Sequence, residues 1–164
     1  MKFLVDSMLG KLARFLRIFG YDTVYANDLV SYFKLNPVPD DKLVLYAKKN
    51  NRYIITKDEL LYKNYIEKGI HLKGEGIYNY LNQLKRALKL NVEFKITKAR
   101  CSICNSPLKK IKNKYVVKDL ILKESFNHYD EFFECVNLHC KKIYWEGSHI
   151  ANIKNNIEND SSGF

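Results

Sequence analysis

The chain has 164 residues, is 46% hydrophobic and carries a formal charge of +10. That is enough for one domain, or one domain with a small module, and too hydrophobic for a disordered tail. No apolar run approaches the ~20 residues of a membrane-spanning helix.

The basic excess is spread along the chain. Residues 1–95 hold seventeen basic against ten acidic residues, and residues 96–164 hold eleven against eight. A field of this sign suits a polyanion such as nucleic acid, and it equally suits plain solubility. The N-terminus lacks a signal-peptide pattern, because Asp6, Lys11, Arg14 and Arg17 interrupt it. A cytoplasmic, reducing setting is the expectation, and there paired cysteines indicate metal before disulfide.

In chain order, residues 2–6 read as a strand. Residues 8–19 read as an amphipathic helix, with Leu9, Leu12, Ala13, Leu16 and Phe19 at helical spacing and Lys11, Arg14 and Arg17 opposite. Gly20 ends it. Residues 23–26 read as a second strand, 28–35 as a short, ambiguous helical stretch, and Pro37 and Pro39 as loop. A helix over 41–49 leads into a strand over 53–56. Residues 59–67 read as helical and 70–72 as a short strand. After Gly74 and Gly76 comes a longer helix that shares Ile77, Tyr80, Leu81, Leu84 and Leu88 on one face. This alternation predicts an α/β fold with a parallel sheet flanked by helices. Near residue 95 the helical periodicity stops. The segment 96–149 is strand-like, turn-rich and holds all four cysteines.

Three aspartates stand out. Asp6 and Asp58 end the two apolar strand runs, and Asp40 opens the helix between them. Ligands of open α/β sheets bind at the carboxyl ends of the strands. Carboxylates meeting there repel unless protons or a hard cation neutralise them. A site of the Mg²⁺ or Mn²⁺ type, suited to phosphoryl chemistry, is one reading. The other is local: Asp6 and Asp40 as helix N-caps, Asp58 as a turn residue.

Cys101 and Cys104 form a C-x-x-C knuckle, and Cys135 and Cys140 follow thirty residues later as a wider pair. Four thiolates suit tetrahedral Zn²⁺, and two pairs on hairpins make a zinc ribbon whose metal is structural. His139 is an alternative to Cys140. Free thiols or two disulfides are the readings without metal. Lys95, Lys98, Arg100, Lys109, Lys110, Lys112 and Lys114 flank the first knuckle, near Tyr115. They form either a phosphate-binding surface or a solvated hairpin tip. Lys11, Arg14 and Arg17 pose the same choice beside Asp6. Trp145 is expected to pack the ribbon against the α/β domain, with stacking on a base the lesser reading. His149 is either a phosphate ligand or general acid, or a packed polar group.

The run Asp6-Ser-Met-Leu-Gly-Lys-Leu-Ala-Arg-Phe-Leu-Arg-Ile-Phe-Gly-Tyr-Asp-Thr23 resembles the Mut-seven C-terminal RNase family. So do Ile54-Ile-Thr-Lys-Asp58, Cys101-Ser-Ile-Cys-Asn105 and Lys142-Ile-Tyr-Trp-Glu-Gly-Ser-His149, in the family's order. Phe15 stands where the family often has tryptophan, and the second cysteine pair is wider than the usual C-x-x-C. The resemblance implies a PIN-like nuclease domain over residues 1–95 and a small β-rich zinc ribbon with a short C-terminal tail over residues 96–164. It also implies metal-dependent ribonuclease activity, with Asp6, Asp40 and Asp58 binding the catalytic metal.

Two functions compete. One is an endoribonuclease preferring single strands, with Mg²⁺ or Mn²⁺ on the three aspartates. The other is a non-catalytic RNA-binding module, ribosome- or tRNA-associated, whose acids only cap helices. A pure binder gains nothing from clustered negative charge facing a polyanion. A phosphate-binding regulatory domain lacks support, since Gly74-Glu75-Gly76 does not continue as a phosphate loop.

Overall fold

The computed structural model describes residues 1–161, except the side chains of residues 149, 154 and 158–161. The first half alternates strand and helix: β1 (Lys2–Val5), α1 (Gly10–Ile18), β2 (Asp22–Tyr25), α2 (Val30–Phe33), α3 (Asp40–Lys49), β3 (Tyr53–Thr56), α4 (Glu59–Lys63), β4 (Gly69–His71) and α5 (Ile77–Leu88). The four strands form one parallel sheet in the order β2-β1-β3-β4.

Strand side chains alternate between faces, and the core divides accordingly. Phe3, Val5 and Ile55 join Leu12, Leu16, Leu81 and Leu84 on the side covered by α1 and α5. Leu4 and Ile54 meet Leu43, Ala47 and Leu61 on the side covered by α3 and α4. Both faces of β1 and β3 are buried, which is why these strands read as continuous apolar runs. Two boundaries differ from the sequence reading. Ser7–Leu9 is a 3-10 turn capped by Asp6, so α1 starts at Gly10. The helix after Asp58 stops at Lys63, short of residue 67.

The second half contains an antiparallel sheet of β5 (Leu108–Lys110), β6 (Phe133–Cys135) and β7 (Ile143–Tyr144). Between β5 and β6 lie a 3-10 turn at Lys114–Val117 and the helix α6 (Lys123–His128), where only strands and turns were expected. These enclose a third, small core of Val117, Phe126 and Phe132, against which Trp145 packs. Trp145 therefore packs within the cysteine-bearing module rather than sealing it to the parallel-sheet half. The expected C-terminal tail is a helix, α7 (Ser148–Ser161). Its Ile150, Ile153 and Ile157 lie at helical spacing and join the α1–α5 core, with Ile153 buried. Asn156 donates to the Tyr78 hydroxyl of α5 at 3.0 Å.

The two halves are joined by polar clamps. Arg17 of α1 is 2% exposed. It donates to the carbonyls of Thr23 (2.8 Å), Ser102 (3.0 Å) and Ile103 (2.9 Å), and it pairs with Asp28. Asn105, in the left-handed region at φ 63°, closes the knuckle turn. Its amide donates to Asp22 (2.7 Å) and its side-chain oxygen accepts from the Thr23 N–H (3.0 Å). Gly20 has φ +89°, and a Cβ there would lie 2.7 Å from the Lys98 carbonyl oxygen, so the connecting segment can lie down only over glycine.

Arg17→Leu is expected to leave the buried Thr23 carbonyl, the part-buried carbonyls of Ser102 and Ile103, and Asp28 without their donor. Each unsatisfied buried group costs about 1–3 kcal/mol, so chemical denaturation should show a loss of several kcal/mol. A loss under about 1 kcal/mol would mean that the guanidinium is dispensable to the joint.

Candidate active site and cysteine centre

The chain leaves β1 toward β2 on one side and returns through α3 to β3 on the other. The crevice above the carboxyl ends of β1 and β3 is therefore the sheet's switch point, where ligands of such sheets bind. Asp6 follows β1 and Asp58 lies two residues beyond β3. The N-terminus of α3 carries Asp40 and Asp41 in its first turn, and α3 packs on both β1 and β3.

Asp6 is 7% exposed. One carboxylate oxygen accepts the Ser7 N–H at 2.5 Å and the other accepts the Thr56 hydroxyl at 2.6 Å. Thr56 Oγ1 in turn accepts the Asp58 N–H at 2.9 Å. Asp58 Oδ1 accepts the Leu61 N–H at 2.9 Å, capping α4. Thr56 thus holds the two acids in register. Sequence reasoning passed over it, although its place two residues before Asp58 at a strand end was the available signal.

Asp40 behaves differently. Pro39 is the N-cap of α3, and Asp40 makes no side-chain cap bond. Its carboxyl is pushed above the ordinary aspartate value, first by desolvation and then by the charges of Asp58, Asp6 and Asp41. The three acids therefore share one field, and the cap reading fails for Asp40 and holds for Asp6, while Asp58, read as a turn residue, is found to cap α4. Among the described residues, the four cysteines are the one group of three or more metal-ligating side chains whose donor atoms all lie within 4.8 Å of one another. The three carboxylates spread wider, as like charges do.

The thiols form two close pairs, Cys101 with Cys140 at 3.6 Å and Cys104 with Cys135 at 3.4 Å. A tetrahedron with Zn–S of ~2.3 Å has S···S edges of roughly 3.8 Å, so the donor set fits Zn²⁺ in kind and size. Burial works against charge at these sulfurs. It holds Cys135 up at about 12, while hydrogen bonds from Ser106 overcome burial at Cys104 and bring it to about 6. Tyr144 supports the cluster from outside. Its hydroxyl oxygen accepts the Ser102 N–H at 3.1 Å and lies 3.1 Å from Cys101 Sγ and 3.2 Å from Ser102 Oγ. Cys140 belongs to the four-sulfur group, so the geometry has no need of His139 as a substitute.

The basic residues sort by partner. Lys109 pairs with Glu134 at 3.0 Å, Lys110 with Glu131, and Lys114 with Asp130 at 2.7 Å. Lys112 is exposed. Much of the hairpin's charge is therefore compensated locally. Lys11 and Arg14 are exposed on α1, one turn beyond Asp6. Arg17 is a correction to the basic-face reading. It lies on the flank of the apolar stripe, and the knuckle buries it. The side chain of His149 lies outside the described residues.

Because the folded state raises the Asp40 pKa, it binds more protons than the unfolded chain between about pH 4 and that raised value. Stability is then lost as pH rises through this window. Asp40→Asn should remove that loss and stabilise the metal-free chain at neutral pH, in thermal melts compared across pH 3–8. The favourable field of α3's N-terminus on an anion, worth ~0.3–1 kcal/mol, opposes this. A variant less stable than wild type at every pH would show that the helix dipole outweighs the crowding.

No curated protein and no solved structure matches the chain in sequence or structure comparison. A family model does: the Mut7-C RNAse domain, over residues 1–157. That span takes in the parallel sheet, the acid crevice, the knuckles and most of α7, so the chain belongs to the Mut7-C RNase domain family.

Proposed function

We propose that the protein is a metal-dependent, PIN-like endoribonuclease that cuts single-stranded RNA, using Mg²⁺ or Mn²⁺ held by Asp6, Asp40 and Asp58. The observation that carries this reading is the raised pKa of Asp40 beside Asp6 and Asp58 at the sheet's switch point. The donors are hard carboxylate oxygens, the class that oxygen-seeking divalent cations take, and their mutual repulsion is what such a cation relieves. When bound, the cation supplies Lewis acidity toward the phosphodiester and toward the attacking water.

The chain's own residues do the positioning. Thr56 and the Ser7 N–H fix the Asp6 carboxylate, and the Leu61 N–H fixes one oxygen of Asp58. Asp40 has fewer tethers and more exposure, so it can adjust as substrate enters. Lys11 and Arg14, one turn along α1, bind phosphates flanking the scissile one. Lys112 is a more distant contact of the same kind. The four-cysteine cluster holds Zn²⁺ as a closed structural site, completing a module whose own core is small.

The rival, a non-catalytic RNA-binding module, draws on the capping roles of Asp6 and Asp58. Asn caps about as well as Asp, so stability does not separate the two readings and cleavage does. RNA cleavage should require Mg²⁺ or Mn²⁺. Asp6→Asn and Asp58→Asn should each lower it at least about 100-fold, equivalent to about 2.7 kcal/mol, while RNA binding is kept or tightened. Equal activity in wild type and Asp6→Asn would identify a contaminant and favour the binding module.

For the cysteine cluster, elemental analysis should find one zinc per chain. Cys101→Ser should lower that content and loosen residues 100–147 before the parallel sheet, as read by hydrogen exchange. A native protein without zinc, its thiols paired as disulfides, would overturn the assignment.

A further inference from the structure

Between α1 and the cysteine module lies a cleft of about 1040 Å³, at the top of the ~300–1,000 Å³ range of sites that enclose a drug-sized ligand. None of the three active-site acids lines it. It begins at Gly10 and Lys11, directly after the 3-10 turn that Asp6 caps, and it is walled on the far side by the module.

Charge marks its occupant. Lys11 and Arg14 line it from α1, and Arg100 and Lys142 line it from the module. Among the described residues none of these four has a salt-bridge partner. Arg100 is steadied through Nε by the Asn105 carbonyl at 2.8 Å. Asp28 is the one carboxylate in the lining, and the buried Arg17 neutralises it. Three of the hairpin lysines, Lys109, Lys110 and Lys114, are by contrast paired with acids. Four cations without a salt bridge therefore converge on the cleft from both walls.

Aromatic surface lies beside it. Tyr129 and Trp145 both line the cleft, with ring centroids 6.3 Å apart and planes tilted by 37°. Both side chains are part-buried. A cationic groove with aromatic rings is how proteins hold unpaired nucleotides, phosphates on the cations and bases stacked on the rings. A stacked duplex offers no free base face to such a shelf.

We propose that this cleft is the path of single-stranded RNA on the α1 side of the cut, with Lys11, Arg14, Arg100 and Lys142 holding successive phosphates and Trp145 with Tyr129 stacking an unpaired base. This rests on the ribonuclease reading and deepens it: the module is the second wall of the substrate channel, and its shelf selects unpaired strands. Lys142 and Tyr129 thereby join as substrate-binding residues that the sequence did not point to, beside Arg100 of the charge run flanking the first knuckle and Trp145, for which base stacking was the lesser reading.

Trp145 is the chain's single tryptophan, so its emission reports on the shelf alone. The full-length Asp6→Asn chain, zinc-loaded as purified, is titrated with a twelve-nucleotide single-stranded RNA, the corresponding RNA duplex and uridine 5′-monophosphate. The single strand should quench Trp145 saturably, and the duplex should leave the emission nearly unchanged. Adding Arg14→Ala and Lys142→Ala, both exposed positions, should weaken single-strand binding at least tenfold. It should also lower the log–log salt slope by about 1.4, since each phosphate contact on a single strand contributes ~0.7. Binding seen by anisotropy with no change in Trp145 emission and an unmoved salt slope would overturn the proposal. So would a mononucleotide that quenches as fully and binds as tightly as the twelve-mer, which would make the cleft an effector site. In either case, cleavage by wild type that still depends on Asp6 keeps the ribonuclease reading, so the two failures are separable.

Discussion

The relation between the two halves depends on one guanidinium. Arg17 leaves α1 from the flank of its apolar stripe and is received by Thr23, Asp28 and the carbonyls of the first cysteine knuckle. A buried arginine is costly unless its donors are matched. Here the match draws on three separate pieces of chain, α1 with β2, the turn after β2, and the knuckle. None of them supplies enough acceptors alone. The cost of leaving the charge unpaired therefore drives the cysteine module onto the edge of the parallel sheet. Asn105 and Gly20 reinforce the joint from opposite ends of the connection.

That docking gives α1 two roles. Its apolar face closes the core with α5, while its first two turns carry the exposed cations Lys11 and Arg14 along the border between the acid crevice and the cleft. Had the module hung free on its linker, these cations would face open solvent, where their attraction for phosphate is screened within about 10 Å at ordinary salt. With a second wall opposite, they meet Arg100 and Lys142 across a confined groove, and their fields add.

The acid crevice shows the opposite economy of charge. Parallel topology brings the ends of β1 and β3 and the start of α3 to one edge, whatever their side chains. Desolvation and then the charges of Asp58, Asp6 and Asp41 make ionisation costly for the least tethered acid, Asp40, and raise its pKa. Asp6 and Asp58 are held by hydroxyl and backbone donors instead. Two of the carboxylates are thus fixed by their donors, while the third, Asp40, is exposed and free to adjust.

Much of this was legible in the sequence. Continuous apolar runs located the central strands and period-3.6 patterns the longer helices, because in a sheet buried on both faces every position must be apolar. The ends of the apolar runs located Asp6 and Asp58, and the cysteine spacing located the four sulfurs now found together. The family resemblance rested on the same runs. Other features depended on contacts between residues far apart in the chain. Arg17 looked like one more solvated base, since its position on the stripe's flank matters only once the knuckle docks there. Trp145 read as a seal between halves, but an unexpected helix, α6, gave it a nearer partner cluster. The isoleucines of α7 were visible at helical spacing, yet only their packing with α5 in the α1–α5 core explains why they fold back. Local spacing determined which elements form and which side chains gather at strand ends. Which cations are cancelled, and which face a cleft, was decided by long-range packing, because charge compensation depends on distance in space and not along the chain.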